Sequence, residues 1–71
     1  MSTDIRVRLG IRIRALRRKR GWTQVEMADL LGIDRSYLSE IETGKKDPSL
    51  TILKTIADGF KLTLSDFLRE F

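Results

Sequence analysis

Glycines at positions 10, 21, 32, 44 and 59 and a single proline at 48 punctuate a chain of 71 residues. Four of those glycines bracket stretches of helical length, so the punctuation favours a succession of short helices over long elements. Read this way the chain holds five helices, with no long linker, repeat or low-complexity tract. Residues 1–71 are expected to form one small domain, near the lower size limit at which a hydrophobic core outweighs chain entropy. The apolar share of 41% suits a globular chain, and the absence of cysteine and histidine removes disulfides and the usual zinc ligands. Stability must then come from packing, helped by dimerisation.

The first segment, "DIRVRLGIRIRALRRKRG", supports two readings. Ile5, Val7, Leu9, Ile11 and Ile13 alternate with polar residues or glycine as a half-buried strand would, up to residue 14. A helical stripe through Ile5, Leu9, Ile13 and Leu16 fits as well, runs further, and ends in basic residues before Gly21, as a helix C-terminus favours. The segment is therefore read as a helix.

The later starts are marked by caps. In "TQVE" the Thr23 side chain is placed to accept from the Glu26 amide while Glu26 reaches back to Thr23, a reciprocal capping box. Met27, Ala28 and Leu31 share one face of this second helix, and Gly32 permits the left-handed backbone of a sharp turn. Asp34 is a good N-cap for a third helix that turns Leu38 and Ile41 inward until Gly44. "KKDPS" forms a loop. Ser49 caps a fourth helix, read with Leu50, Leu53, Ile56, Ala57 and Phe60 on its buried side, weakened by Gly59 and ending near residue 60. Thr63, with Asp66 three residues on, repeats the capping signal for a short fifth helix containing Leu64, Phe67 and Leu68.

Charge is distributed unevenly. Residues 1–20 hold eight basic residues against Asp4 alone, a balance of +7, whereas residues 21–71 hold six basic and nine acidic, a balance of −3. A basic end on a small domain points to polyanions, either nucleic acid or an anionic membrane surface. No run of about 18 apolar residues is present to span a bilayer, and the N-terminus lacks the apolar stretch of a secretory signal; a cytoplasmic location is the expectation. Catalysis is not expected. The chain lacks His and Cys for a base or nucleophile, has no phosphate-cradling glycine loop, and is too small for a deep pocket.

Two short helices joined by a tight turn at Gly32, the second polar on its outer side, make a helix-turn-helix arrangement. From about residue 9 to residue 68 the sequence resembles the helix-turn-helix family of the lambda and 434 phage repressors and Cro. The shared features are "TQ" opening the second helix, Met27-Ala28, the turn Gly32, "S-x-I-E-x-G" from Ser39 to Gly44, and Pro48-Ser49 leading into the fourth helix. Within that family "DRSYLSEIE" is most similar to the controller proteins of restriction-modification systems, in words that many small repressors also use. The resemblance implies an all-α, compact five-helix, lambda-repressor-like fold and a transcriptional regulator of double-stranded DNA.

It also implies roles for particular residues. A major groove about 12 Å wide admits one α-helix, whose N-terminal side chains read base edges. Matched to the family pattern, Arg35, Ser36, Ser39 and Glu40 are the base-reading positions, with Tyr37 at the edge of the same surface. Arg35 has the planar fork that grips guanine O6 and N7, while Ser36 and Ser39 donate to bases or phosphates. Tyr37 suits the sugar-phosphate edge or a thymine methyl; Glu40 either accepts from cytosine N4 or holds Arg35 in position. Outside the motif, solvated helix residues would be the simpler reading of all five.

Thr23 and Gln24 match residues that grip the DNA backbone at the start of the second helix, although Thr23 is also explained by capping alone. Lys45 and Lys46 lie within reach of phosphates, or are simply solvated. Arg17 and Glu42 match positions that form a structural ion pair between the first and third helices. The remaining basic residues of the first helix lie outside the base-reading set and are solvated or provide long-range attraction, with Arg18, Lys19 and Arg20 placed to approach the backbone flank. Trp22 is expected to pack over the turn between the first two helices.

Half-sites one helical turn apart, about 34 to 36 Å, suit a two-fold pair, so a homodimer is expected. Ile52, Leu64, Phe67 and Phe71 are the interface candidates, with core filling an equal explanation of Leu64 and Phe67. No cofactor, metal, small-molecule ligand or membrane partner is implied. The alternative is an antitoxin-like protein-interaction module whose DNA contact only regulates its own gene; a membrane-surface peptide would not need four further patterned helices.

Overall fold

The computed structural model describes residues 4–69. Its element order is α1 (Ile5–Lys19), α2 (Gln24–Leu31), α3 (Arg35–Glu42), α4 (Leu50–Gly59) and α5 (Leu64–Phe67), with no strand among the described residues. Every helix begins at a residue whose side-chain oxygen accepts from a first-turn amide: Asp4, Thr23, Asp34, Ser49 and Thr63. The Thr23–Glu26 box is reciprocal, with Glu26 N–H donating to Thr23 Oγ1 at 3.1 Å and Thr23 N–H donating to Glu26 Oε1 at 2.8 Å.

The strand alternative for residues 5–13 is resolved by burial. Leu9 and Ile13, four apart, enter the core, whereas Ile11, on the alternating register, is 62% exposed. Asp4 supplies the start that a helix needs, and Arg6 clamps the Asp4 carboxylate through Nε and Nη2. The expected stripe is corrected at its first member: Ile5 is largely exposed, because it stands at the rim of an open groove that it lines with Leu9, Pro48, Leu53 and Leu68. Leu50 likewise departs from the buried side assigned to it and is 71% exposed, since at the first position of α4 it projects past the core that Ile56, Ala57 and Phe60 fill.

Ile13, Met27, Leu38, Ile41, Ile56, Phe60 and Phe67 are fully buried, drawing all five helices onto one core. Trp22 stacks on Phe60 with ring centroids 5.7 Å apart, and Phe60 meets Phe67 at 6.4 Å, so the aromatic seam links the α1–α2 turn to α4 and α5. Gly10, read from sequence as punctuation, lies inside α1 and is buried. A Cβ there would stand 2.3 Å from the Glu42 carbonyl oxygen, so the missing side chain is what lets α1 lie against the end of α3. Gly32 closes α2 with φ of 67°, the left-handed turn expected of it.

Candidate nucleic-acid interface

α3 has two chemically distinct sides. Leu38 and Ile41 are fully buried and anchor it to the core. Arg35 and Ser36 are exposed, and Tyr37, Ser39 and Glu40 are half-buried along the flank. Asp34 starts the helix by accepting from Tyr37 N–H at 3.1 Å, and Thr43 Oγ1 donates to the Ser39 carbonyl at 3.0 Å at its end. The Arg35 side chain is exposed and makes no hydrogen bond or ion pair with another described residue, so its guanidinium donors are unclaimed within the fold. Glu40 is not the partner of Arg35; its carboxylate stands 3.9 Å from Lys46 Nζ, an exposed pair. Lys45 is exposed, its amide donating to the Glu40 carbonyl at 2.9 Å where the chain leaves α3.

Behind this surface lies a carboxylate with almost no access to water. Glu42 accepts from Arg17 Nε at 2.8 Å through Oε2 and from Arg17 Nη2 at 3.0 Å through Oε1, a bidentate grip from α1 to α3. Arg17 Nη1 also donates to the Trp22 carbonyl at 2.9 Å, tying the α1–α2 turn to the same guanidinium. Gln24 Nε2 donates to Glu42 Oε1 at 3.1 Å, so the first residue of α2 joins the network. No buried side-chain polar atom is left without a partner among the described residues, as a charge in this position requires.

Sequence reading missed the internal work of the basic first helix. Arg12 donates to the carbonyls of Phe67 and Asp66, both at 3.2 Å. Arg20 donates to the Phe60 carbonyl at 2.6 Å and lies over the Trp22 ring. These guanidiniums occupy carbonyls at the ends of α5 and α4, where a helix leaves acceptors unfilled and favours a cation. Because the acceptors are backbone atoms, no side chain in the sequence marks them.

Two carboxylates are held below their ordinary range. Asp4 is lowered chiefly by the Arg6 side-chain hydrogen bond, and Glu26 by the Thr23 amide and hydroxyl. Glu26 therefore stays ionised at the start of α2, where the helix dipole favours negative charge.

Of the interface candidates, Ile52 and Leu64 are half-buried against the core. Phe67 is fully buried inside the protomer, and this corrects its assignment as a surface contact: its ring fills the space beside Phe60. Phe71 lies outside the described residues. No described helix is long and apolar enough to cross a membrane.

The profile of the helix-turn-helix family HTH_3 matches residues 13–67, which include both α2 and α3. The chain belongs to this family of DNA-binding transcriptional regulators. It is 37% identical over 68 residues to the control protein C.MunI of Mycoplasma sp, covering 94% of this chain and 92% of that protein. It is also 37% identical over 62 residues to the immunity repressor of Bacillus phage phi105, covering 87% of this chain but only 43% of the repressor. Among solved structures, the restriction-modification controller protein C.AhdI of Aeromonas hydrophila superposes with a TM-score of 0.83 at 32% identity, over 89% of this chain and 96% of that one. The all-helical fold is thus shared with phage repressors and controller proteins alike.

Proposed function

We propose that this HTH_3 regulator binds a palindromic operator as a homodimer, with α3 of each copy in the major groove. The observation that carries the reading is the unpartnered, exposed Arg35 on a helix whose opposite side is locked into the core. A guanidinium so placed is free for bidentate contact with guanine, flanked by the small Ser36 and Ser39, which let the helix approach base edges. Tyr37 and Glu40 border the same surface. Thr23, Gln24, Lys45 and Lys46 serve the phosphates on either side. Likeness to C.MunI and C.AhdI, both controller proteins, favours a regulator of that type. Pairing draws support from α4 and α5, where Leu50 is exposed and Ile52 and Leu64 are half-buried, together with the need for two half-sites about 34 to 36 Å apart. As a regulator acting at DNA, it would work in the cytoplasm.

Selection of bound duplexes from a random pool tests the whole reading. The expected winner is a palindrome, bound with a salt slope of about −5 to −9 for roughly 6 to 10 phosphate contacts per dimer. A pool that yields no enriched duplex would overturn sequence-specific binding, and an enriched site without two-fold symmetry would overturn the homodimer.

A further inference from the structure

The Glu42 carboxylate lies at the meeting point of α1, α2 and α3, and its two oxygens are not equally occupied. Oε2 accepts from Arg17 Nε at 2.8 Å. Oε1 accepts from Arg17 Nη2 at 3.0 Å and from Gln24 Nε2 at 3.1 Å, and it faces a third group, Arg14, whose Nε is 3.7 Å away. That separation is an ion contact and too long for a hydrogen bond. Arg17 alone neutralises the carboxylate, so Arg14 is a surplus positive charge at the same spot. The Arg17 side chain is 11% exposed and Arg14 40%, which makes Arg17 the structural partner and Arg14 the one facing outward.

Gln24 is in a comparable position. Its amide nitrogen has two hydrogens, and the bond to Glu42 uses one, fixing the orientation of the amide with nitrogen toward the carboxylate and leaving the second hydrogen directed elsewhere. Arg14 Nε and Gln24 Nε2 approach the same oxygen, Glu42 Oε1, at 3.7 and 3.1 Å, which makes the two side chains neighbours at the opening of α2. Two neighbouring donors, one of them cationic, match the oxygens of a phosphodiester.

The geometry points to Arg14 as a further DNA-phosphate ligand that shares one phosphate with Gln24, both being positioned by the buried Glu42 carboxylate. This rests on the operator-binding reading above and adds to it a residue from α1 and a reason why the end of the reading helix and the start of α2 keep one register. Glu42 is a positioning residue here: it touches no DNA, and it sets the amide of Gln24 and the height of Arg14.

The two donors differ in charge, and salt dependence separates them. With duplex obtained from the selection, affinity is measured across a KCl series for the full chain, Arg14→Ala, Gln24→Ala, the double variant and a control, Lys61→Gln, at an exposed lysine after α4. Removing a cation that neutralises a phosphate lowers the steepness of the salt slope by about 1 per half-site. Arg14→Ala is therefore expected to flatten the slope and to weaken specific and unrelated duplexes alike by about threefold to tenfold. Gln24→Ala is expected to weaken binding with the slope unchanged, because the amide is neutral. Lys61→Gln is expected to retain the parent slope. If both donors hold one phosphate, the double variant loses less than the product of the single losses.

Glu42→Gln, which keeps one oxygen acceptor and removes the charge, is expected to diminish the effect of Gln24→Ala made in the same chain. A parent slope in Arg14→Ala, or a slope lowered equally by Lys61→Gln, would overturn the phosphate contact. Strictly multiplicative losses in the double variant would overturn the shared phosphate. Should Glu42→Gln fail to fold, that double variant still decides the matter. Absence of duplex binding by the parent chain would count against the operator reading itself, a different failure from a parent that binds and an Arg14 variant that matches it.

Discussion

α1 with its C-cap Arg20 carries eight basic side chains, and α3 carries one. On charge alone α1 would be chosen as the DNA-contacting helix. Yet Arg6 is clamped on Asp4, Arg12 on the end of α5, Arg17 on Glu42 and Arg20 on the end of α4, whereas Arg35 on α3 is left without an internal partner. A cation already hydrogen-bonded within the fold must give up that bond to read a base; one that is exposed gives up only water. The lesson is that the number of charges in a segment predicts attraction to a polyanion, and their partners predict which of them make the contact.

The contrast is most open to attack at Glu42. Glu42→Ala leaves Arg17 almost buried without its counter-charge, and is expected to destabilise the fold by about 3 to 5 kcal/mol in urea unfolding. Domains of this length have roughly 4 to 10 kcal/mol in all. A loss under about 1 kcal/mol would mean that Arg17 finds water easily and that α1 is less committed to the interior than its bonds suggest. Arg35→Ala should do the reverse: its melting temperature stays with the parent, while specific affinity falls by about 1 to 3 kcal/mol and one position of the site loses its base preference. Equal binding by variant and parent would remove Arg35 from the reader's role. Arg12→Ala sharpens the comparison further, since two charge-assisted bonds to carbonyls are lost; about 1 to 2 kcal/mol of stability should go, with base preference unaltered.

The smallest effect concerns acid. Glu26 has a lowered pKa in the fold, so its contribution is fully present above the ordinary carboxylate range and is lost as pH falls through the lowered value. Thermal melts from neutral to acid pH should show a shallower decline for Glu26→Gln than for the parent. Superimposable acid limbs would show that the carboxylate adds nothing to the cap beyond a neutral acceptor.

Much of this architecture was legible beforehand because its signals are local. Thr23, Asp34, Ser49 and Thr63 cap the helices they were assigned to, and each needs only an amide two or three residues away. Leu38 and Ile41 face inward as their spacing requires. What escaped was set by distant segments. Periodicity put Ile5 and Leu50 on buried sides, but whether the first turn of a helix finds anything to pack on depends on where the neighbouring helices end. Gly10 lies within the helix read for that segment, but its use as a close approach was hidden, because the backbone it meets lies beyond residue 40. The Gln24–Glu42 bond joins two residues each given a separate task, one at the DNA backbone and one in an ion pair. For Phe67, an exposed aromatic and a core aromatic are written with the same letter.

The oxygen-bearing side chain at the head of every helix has a kinetic consequence. Boundaries defined by neighbours in sequence require little search, since each short coil-to-helix event already knows where to begin, and proteins dominated by nearby contacts reach their native form on the order of microseconds to milliseconds. A newly synthesised copy would then be folded almost as soon as it is released, and the delay before a freshly induced gene feels its regulator would be set by translation, by the pairing of two copies and by the search along the chromosome.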